Sequence, residues 1–115
     1  MAKTAQVLAG DGRVIVERCL LADWPFARMR GLLGRKELPS GEGILLRPAG
    51  SVHTFFMRFP IDVVFLDRDL RVVSFAERVQ PWKARGARGA KAVLELAAGE
   101  IARCELGAGD TLSLS

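Results

Sequence analysis

A single histidine, His53, and two cysteines, Cys19 and Cys104, are all the imidazole and thiol that this 115-residue chain contains. A zinc or transition-metal centre needs three or four converging ligands. One His and two distant Cys without CxxC spacing match no familiar ligand pattern. No metal and no cofactor are therefore expected, and two free thiols in a reducing compartment are expected in place of a disulfide. No GxSxG elbow presents a serine nucleophile. The P-loop order GxxxxGK followed by Ser or Thr is also missing, since Lys91 follows an alanine. Nowhere do the roughly 20 apolar residues of a membrane span run together. Met1 to Arg13 holds no apolar stretch ahead of a small-residue cleavage site. The expectation is a soluble, cytoplasmic protein that engages no membrane.

What the chain has in quantity is apolar residues, 50% of the total. A chain of this length buries very roughly two-thirds of the surface its unfolded form exposes, enough for one core. No repeat, low-complexity tract or linker divides it, so residues 1–115 are expected to form one domain. The formal charge is +4, and its positives gather in two segments. One holds Arg28, Arg30, Arg35 and Lys36. The other holds Arg78, Lys83, Arg85, Arg88 and Lys91, opposed only by Glu77 at its edge. Two such segments can face one anionic partner.

Periodicity and turn residues predict a mainly β domain. Thr4 to Leu8 and Arg13 to Arg18 read as a hairpin around the turn cluster Ala9 to Gly12. Asp23 reads as the N-cap of a helix through Leu33, with Pro25 in its first turn and Gly34 as its stop. Leu38 to Gly43 reads as a loop leading into a strand from Ile44 to Arg47. Val52 to Arg58 and Ile61 to Leu66 are rich in β-branched and aromatic residues, and Pro60 separates them into two strands. Asp67, Arg68 and Asp69 turn the chain into a strand from Arg71 to Ala76. Arg78 to Lys91 reads as a long loop, and connections of that length are more often functional than incidental. A buried strand from Ala92 to Leu96, a short helix from Gly99 to Leu106 and a last strand from Thr111 to Leu114 complete the pattern. The expected architecture is a barrel-like antiparallel sheet with one helix in the first half of the chain and one short helix in the second.

The segment Ser51 to Asp67, SVHTFFMRFPIDVVFLD, concentrates the polar residues hardest to explain by solvent. A buried polar group left unpaired costs about 1–3 kcal/mol, so His53, Thr54, Arg58 and Asp62 must find partners or bind something. Alternation sets His53, Phe55 and Met57 on one face of a strand and Thr54, Phe56 and Arg58 on the other. Phe55, Phe56 and Met57 read as core. Imidazole is the side chain poised for proton transfer near neutral pH, but no nucleophile adjoins His53 in sequence. Asp62 and Glu95 are the two carboxylates on apolar strands. Paired carboxylates can do acid and base work, whereas buried ones are more often held by backbone N–H groups or an arginine. An ion pair of Glu95 with Arg58 is the expectation. In PWKARGARGAK, Trp82 can stack on a planar group while Lys83, Arg85, Arg88 and Lys91 neutralise phosphate or carboxylate. The alternative for that segment is a solvated basic loop with Trp82 folded onto the barrel.

Three stretches in order, GLLGRKELPSGEGILL, HTFFMRFPIDVVFLD and AVLELAAGEIARCELGAGDTL, resemble the bacterial and archaeal family called domain of unknown function 192. The resemblance runs from about Met29 to the end. It implies a compact, mostly β single domain with a short helix or two, and it brings no established biochemical activity. Arg58 falls on a basic position of the family pattern, and Asp62 and Glu95 fall on acidic ones within PxD and LEL. Phe59 stands where many relatives carry a polar residue.

These readings converge on a binding module for a small molecule or anion, with His53, Arg58, Asp62, Trp82, Lys83 and Arg85 as its ligand-binding residues. Alternatives are a nucleic-acid-binding domain built on the basic segments and Trp82, and a hydrolase-like enzyme using Asp62, His53 or Glu95. The hydrolase reading requires those three residues to converge in one cleft. A protein partner, or a homodimer formed along a strand edge, is a fourth possibility.

Overall fold

A computed structural model describes residues 3–22 and 36–115. The expected helix from Asp23 to Leu33 and the basic residues Arg28, Arg30 and Arg35 lie outside the described residues. Nine strands are present among the described residues: β1 (Lys3–Ala9), β2 (Val14–Ala22), β3 (Glu42–Leu46), β4 (Ser51–His53), β5 (Ile61–Leu66), β6 (Val72–Val79), β7 (Ala84–Gly86), β8 (Ala92–Ala97) and β9 (Leu112–Leu114). One short helix, α1 (Glu100–Arg103), precedes β9.

Seven strands form one sheet in the order β6-β5-β8-β3-β2-β1-β9, and β4 and β7 form a separate ribbon. β5 and β8 are its most apolar strands. All six residues of β5 are buried, as are the first five of β8. A strand covered on both faces reads as a continuous apolar run, and IDVVFL and AVLEL read that way. Alternation sends Val64 and Leu66 of β5 into one apolar cluster with Leu94, Leu96 and Ile101, and Ile61, Val63 and Phe65 into a second cluster with Ile44, Met57 and Val93. The strands approach closely at Gly43, where a Cβ would lie 2.9 Å from the Glu95 carbonyl oxygen. A side chain there would force β3 and β8 apart.

The sheet curls until its edge strands meet. Arg71 bridges Thr111 just before β6 and β9 begin. The Val72 amide donates to the Asp110 carbonyl at 2.8 Å, and the Leu112 amide donates to the Leu70 carbonyl at 2.9 Å. Barrel-like curvature and strand dominance are as the sequence implies. The pairing is not antiparallel throughout, because β2 and β3 run parallel, from Arg18 opposite Glu42 to Ala22 opposite Leu46. The chain between these strands is long enough for the crossover that parallel neighbours require, whereas the short turns between β1 and β2 and between β5 and β6 give antiparallel pairs.

Two local corrections shape the site. The strand expected from Val52 to Arg58 ends at His53, and Thr54 to Pro60 turn away. The loop expected from Arg78 to Lys91 contains β7, which pairs antiparallel with β4 and sets Val52 opposite Arg85 and His53 opposite Ala84.

Candidate aromatic and basic binding site

Thr54 joins the two loops that carry the site. It is fully buried. Its hydroxyl donates to the Gln80 carbonyl at 2.6 Å and accepts from the Lys83 amide at 2.9 Å. Its own amide donates to the Lys83 carbonyl at 2.8 Å, and its carbonyl accepts from the amides of Trp82 at 2.9 Å and Met57 at 3.2 Å. One buried side chain thereby satisfies backbone groups that neither short strand can pair, and it ends β4 by drawing the chain towards residues 80–83.

This clamp turns four rings outward. His53 stacks on Phe55 with ring centroids 4.9 Å apart, Phe55 stacks on Trp82 at 5.9 Å, and Phe56 tilts against Trp82 at 4.6 Å. Phe56 is 70% exposed and Trp82 59%, so the pair is open to solvent. Both residues have φ 67°. A bulky residue in the left-handed region costs on the order of 1–3 kcal/mol and persists only where its surroundings hold it. At Trp82 the holding bond is its amide to the Thr54 carbonyl. The His53 Nδ1 accepts from the Phe55 amide at 3.2 Å, which leaves Nε2 as the protonated nitrogen of the neutral ring.

The same segments carry cations. Arg58, Lys83 and Arg85 are exposed, and Arg85 donates to the Ala84 carbonyl at 2.8 Å. A groove of about 380 Å³ runs along the ribbon, lined by Ser51, Val52, His53, Ala84, Arg85 and Gly86. Of the six ligand-binding residues expected from the sequence, His53, Trp82, Lys83 and Arg85 thus lie on the ribbon or its loops, and Arg58 follows the same aromatic segment.

Asp62 stands apart from them. It is fully buried and accepts backbone bonds from Arg78 at 2.8 Å, Gly99 at 3.1 Å and Ile101 at 2.9 Å. The pairing of β5 with β6 skips here, from Ile61 opposite Val79 to Val63 opposite Ala76. β6 therefore carries a bulge opposite Asp62, and the carboxylate takes the amide that the bulge leaves over. The other two bonds tie the start of α1 to the same strand.

Glu95 lies on the opposite face of the sheet, paired across the strands with Val63 and Ile44. It is 4% exposed, and its Oε1 has no hydrogen-bond partner. Burial pushes its carboxyl up to about 7. The expected ion pair with Arg58 does not form, because the turn after His53 carries Arg58 out to solvent while β8 keeps Glu95 inside. Asp62, His53 and Glu95 do not share a cleft. Asp62 and Glu95 face opposite sides of the sheet, and His53 sits on the separate ribbon. Among the described residues, no group of three or more His, Cys, Asp and Glu side chains is placed to hold a metal ion. Cys19 and Cys104 are buried free thiols, and burial raises the Cys19 thiol to about 12.

Phe55 and Phe56 belong to the exposed surface and not to the core, a correction to the reading by alternation. The signal for it is the crowding of HTFFMRFP, where three phenylalanines precede Pro60 within a short stretch. That is more ring area than one short strand can bury.

A curled, mostly β domain with a separate two-stranded ribbon is thus the class of protein that the fold defines. The chain matches the model of the family called domain of unknown function 192, described as "Uncharacterized ACR", over residues 6–114, and it belongs to that family. It is 36% identical over 95 residues to a UPF0127 protein of Thermococcus sibiricus (strain DSM 12597 / MM 739), a match covering 78% of this chain and 61% of that protein. The chain therefore spans less than two-thirds of the curated relative's length. A solved protein of unknown function from Novosphingobium aromaticivorans DSM 12444 is similar with a TM-score of 0.82 and 28% identity, over 97% of this chain and 84% of that one. A solved protein from Sinorhizobium meliloti 1021, described as a "putative transcription regulator", has a TM-score of 0.85 and 23% identity, over 99% of this chain and 94% of that one. The second likeness is one of fold alone. No helix among the described residues is long and apolar enough to cross a membrane.

Proposed function

We propose that the β4–β7 ribbon and its two aromatic loops bind a small anionic ligand that carries a planar ring. The observation carrying this reading is the outward-facing series of contacting rings His53, Phe55, Trp82 and Phe56, on segments that also carry the exposed cations Arg58, Lys83 and Arg85. Exposed rings contribute nothing to a core, and two of them occupy backbone conformations that work against folding. Such a surface suits stacking, and each base stacked on an aromatic side chain is worth about 1–3 kcal/mol. The cations supply the attraction for phosphate or carboxylate. Nucleoside monophosphates combine both features and are the probes of choice.

Thermal-shift and calorimetric titrations with a nucleoside monophosphate, the matching nucleoside and inorganic phosphate test this reading. A ligand at about 100 times its dissociation constant stabilises the fold by about 2.7 kcal/mol. The expected order is nucleotide above nucleoside and phosphate, with the nucleotide effect lost in Trp82→Ala. Equal weak effects from all three, unchanged in Trp82→Ala, would contradict it.

The openness of Phe56 and Trp82 favours a second reading, in which the same rings stack on successive bases of a single strand. Affinity for a short oligonucleotide would then fall steeply with salt, whereas a monophosphate makes too few charge contacts for a steep slope. The hydrolase-like alternative loses its geometric support, because Asp62 and Glu95 are buried on opposite faces of the sheet while His53 is exposed on the ribbon.

A further inference from the structure

A second basic cleft lies where β3 and β5 end and β8 begins. It is an open cleft of about 360 Å³, lined by Arg47, Pro48, Asp67, Arg68, Leu70, Lys91 and Ala92. It shares no lining residue with the ribbon groove. The sheet register explains the convergence. Leu46 at the end of β3 pairs with Val93, and Leu66 at the end of β5 pairs with Ala92, so the residues just beyond these strand ends meet around the start of β8. The Lys91 amide donates to the Leu66 carbonyl at 2.7 Å, and the Lys91 carbonyl accepts from Ala49 at 3.0 Å. The backbone that carries the lysine is thus held on both sides.

The charges do not cancel. Arg68 and Lys91 are both exposed cations, and the one carboxylate of the lining is engaged locally, with Asp67 Oδ1 accepting the amides of Asp69 at 2.8 Å and Arg71 at 3.0 Å. Neither Arg68 nor Lys91 forms an ion pair among the described residues. Pro48, Leu70 and Ala92 make one wall apolar. Leu70 has φ 63°, a position where Gly or Asn is the unstrained choice. Its backbone is fixed by the Leu70 amide to the Asp67 carbonyl at 3.1 Å and the Leu112 amide to the Leu70 carbonyl at 2.9 Å. The turn therefore sets a branched apolar side chain beside the cations. The volume falls at the small end of the range for ligand pockets.

We propose that this cleft is a second anion site, taking a small molecule that joins a dianionic headgroup to a short apolar body. Arg68 and Lys91 hold the headgroup, and Leu70 with Pro48 covers the body. A phosphate monoester and a dicarboxylate share this headgroup chemistry.

The test is a titration of the whole chain with n-butyl phosphate, inorganic phosphate and succinate, followed by amide chemical shifts. The expected result is saturable movement of the Arg68, Leu70 and Lys91 amides, with butyl phosphate binding more tightly than inorganic phosphate. Succinate against butyl phosphate decides which headgroup is preferred. The doubly substituted Arg68→Gln, Lys91→Gln chain should bind about tenfold or more weakly, while Arg85→Gln on the ribbon leaves this binding unchanged. Both sets of substitutions are at exposed side chains, and the same spectra report whether the fold is intact. No movement at these amides, equal binding by the double variant, or equal weakening by Arg85→Gln would overturn the site. Equal affinity for butyl and inorganic phosphate would overturn the role given to the apolar wall. Failure of nucleotides at the ribbon leaves this result untouched, since the two sites are read by different amides.

Discussion

Thr54 and Lys83 exchange backbone and side-chain hydrogen bonds in both directions, the Thr54 amide donating to the Lys83 carbonyl at 2.8 Å and the Lys83 amide donating to the Thr54 hydroxyl at 2.9 Å. This pair fixes the aromatic loop against the basic one. Thr54→Val keeps the shape but leaves the Lys83 amide and the Gln80 carbonyl without that hydroxyl. Denaturant unfolding should show a loss of about 2–3 kcal/mol. Near-ultraviolet circular dichroism should show a weaker aromatic signal as Trp82 loses its fixed contact with Phe55. Thr54→Ser retains the hydroxyl and should lose far less.

Asp62 is expected to be a folding residue. Its carboxylate accepts three backbone amides, and an amide side chain offers only one oxygen for them. Asp62→Asn should destabilise by about 2–4 kcal/mol, through lost charge-assisted bonds and a buried NH₂ facing N–H donors. Hydrogen exchange should locate the loosening at residues 99–103 and at the β6 bulge. Wild-type protection at those amides in the variant would contradict this role.

Glu95 makes stability depend on pH in a definite direction. Its folded carboxyl titrates at about 7 against an ordinary 4.5, so between these values the folded chain holds a proton that the unfolded chain has released. Its contribution is fully present below about 4.5 and is lost as pH rises through about 7, a change of roughly 3 kcal/mol. Glu95→Gln removes the ionisable group. The variant should gain on the wild type as pH is raised from 5 to 8, and parallel stability curves would contradict the assignment.

Phe56 separates binding from folding. It is largely exposed and sits at positive φ, so Phe56→Gly relieves backbone strain while adding freedom to the unfolded chain. The two effects oppose each other, and stability should stay within about 1 kcal/mol of wild type. Nucleoside monophosphate affinity should fall by about tenfold, the value of one lost stacking contact.

Much of the fold is legible in residue order because its strands announce themselves locally. IDVVFL and AVLEL are too apolar to be anything but doubly covered strands, and the turn residues at Gly10 to Gly12 and Asp67 to Asp69 close hairpins that the structure contains. The β4–β7 ribbon is not legible, because each strand is three residues long and their pairing joins positions some thirty residues apart. Phe55 and Phe56 were assignable to the core by alternation, and alternation fails once a buried threonine redirects the chain. The unpaired state of Glu95 depends on register across β3, β8 and β5, which no local pattern encodes. His53, Trp82, Lys83 and Arg85 stand out in the sequence as candidates because ring and charge are concentrated in two short segments. That those segments pair is a tertiary fact.

The proposed ring-and-anion site is tested most directly by following the Trp82 indole N–H in a two-dimensional nitrogen–proton spectrum while a nucleoside monophosphate is added. The signal is assigned by its disappearance in Trp82→Phe. Binding at the ribbon predicts that the Trp82 indole and the amides of residues 53–57 and 83–85 move together and saturate, with the matching nucleoside and inorganic phosphate each giving much smaller effects. An indole signal that stays fixed, with small shifts scattered over the basic surface that vanish on adding salt, would contradict it.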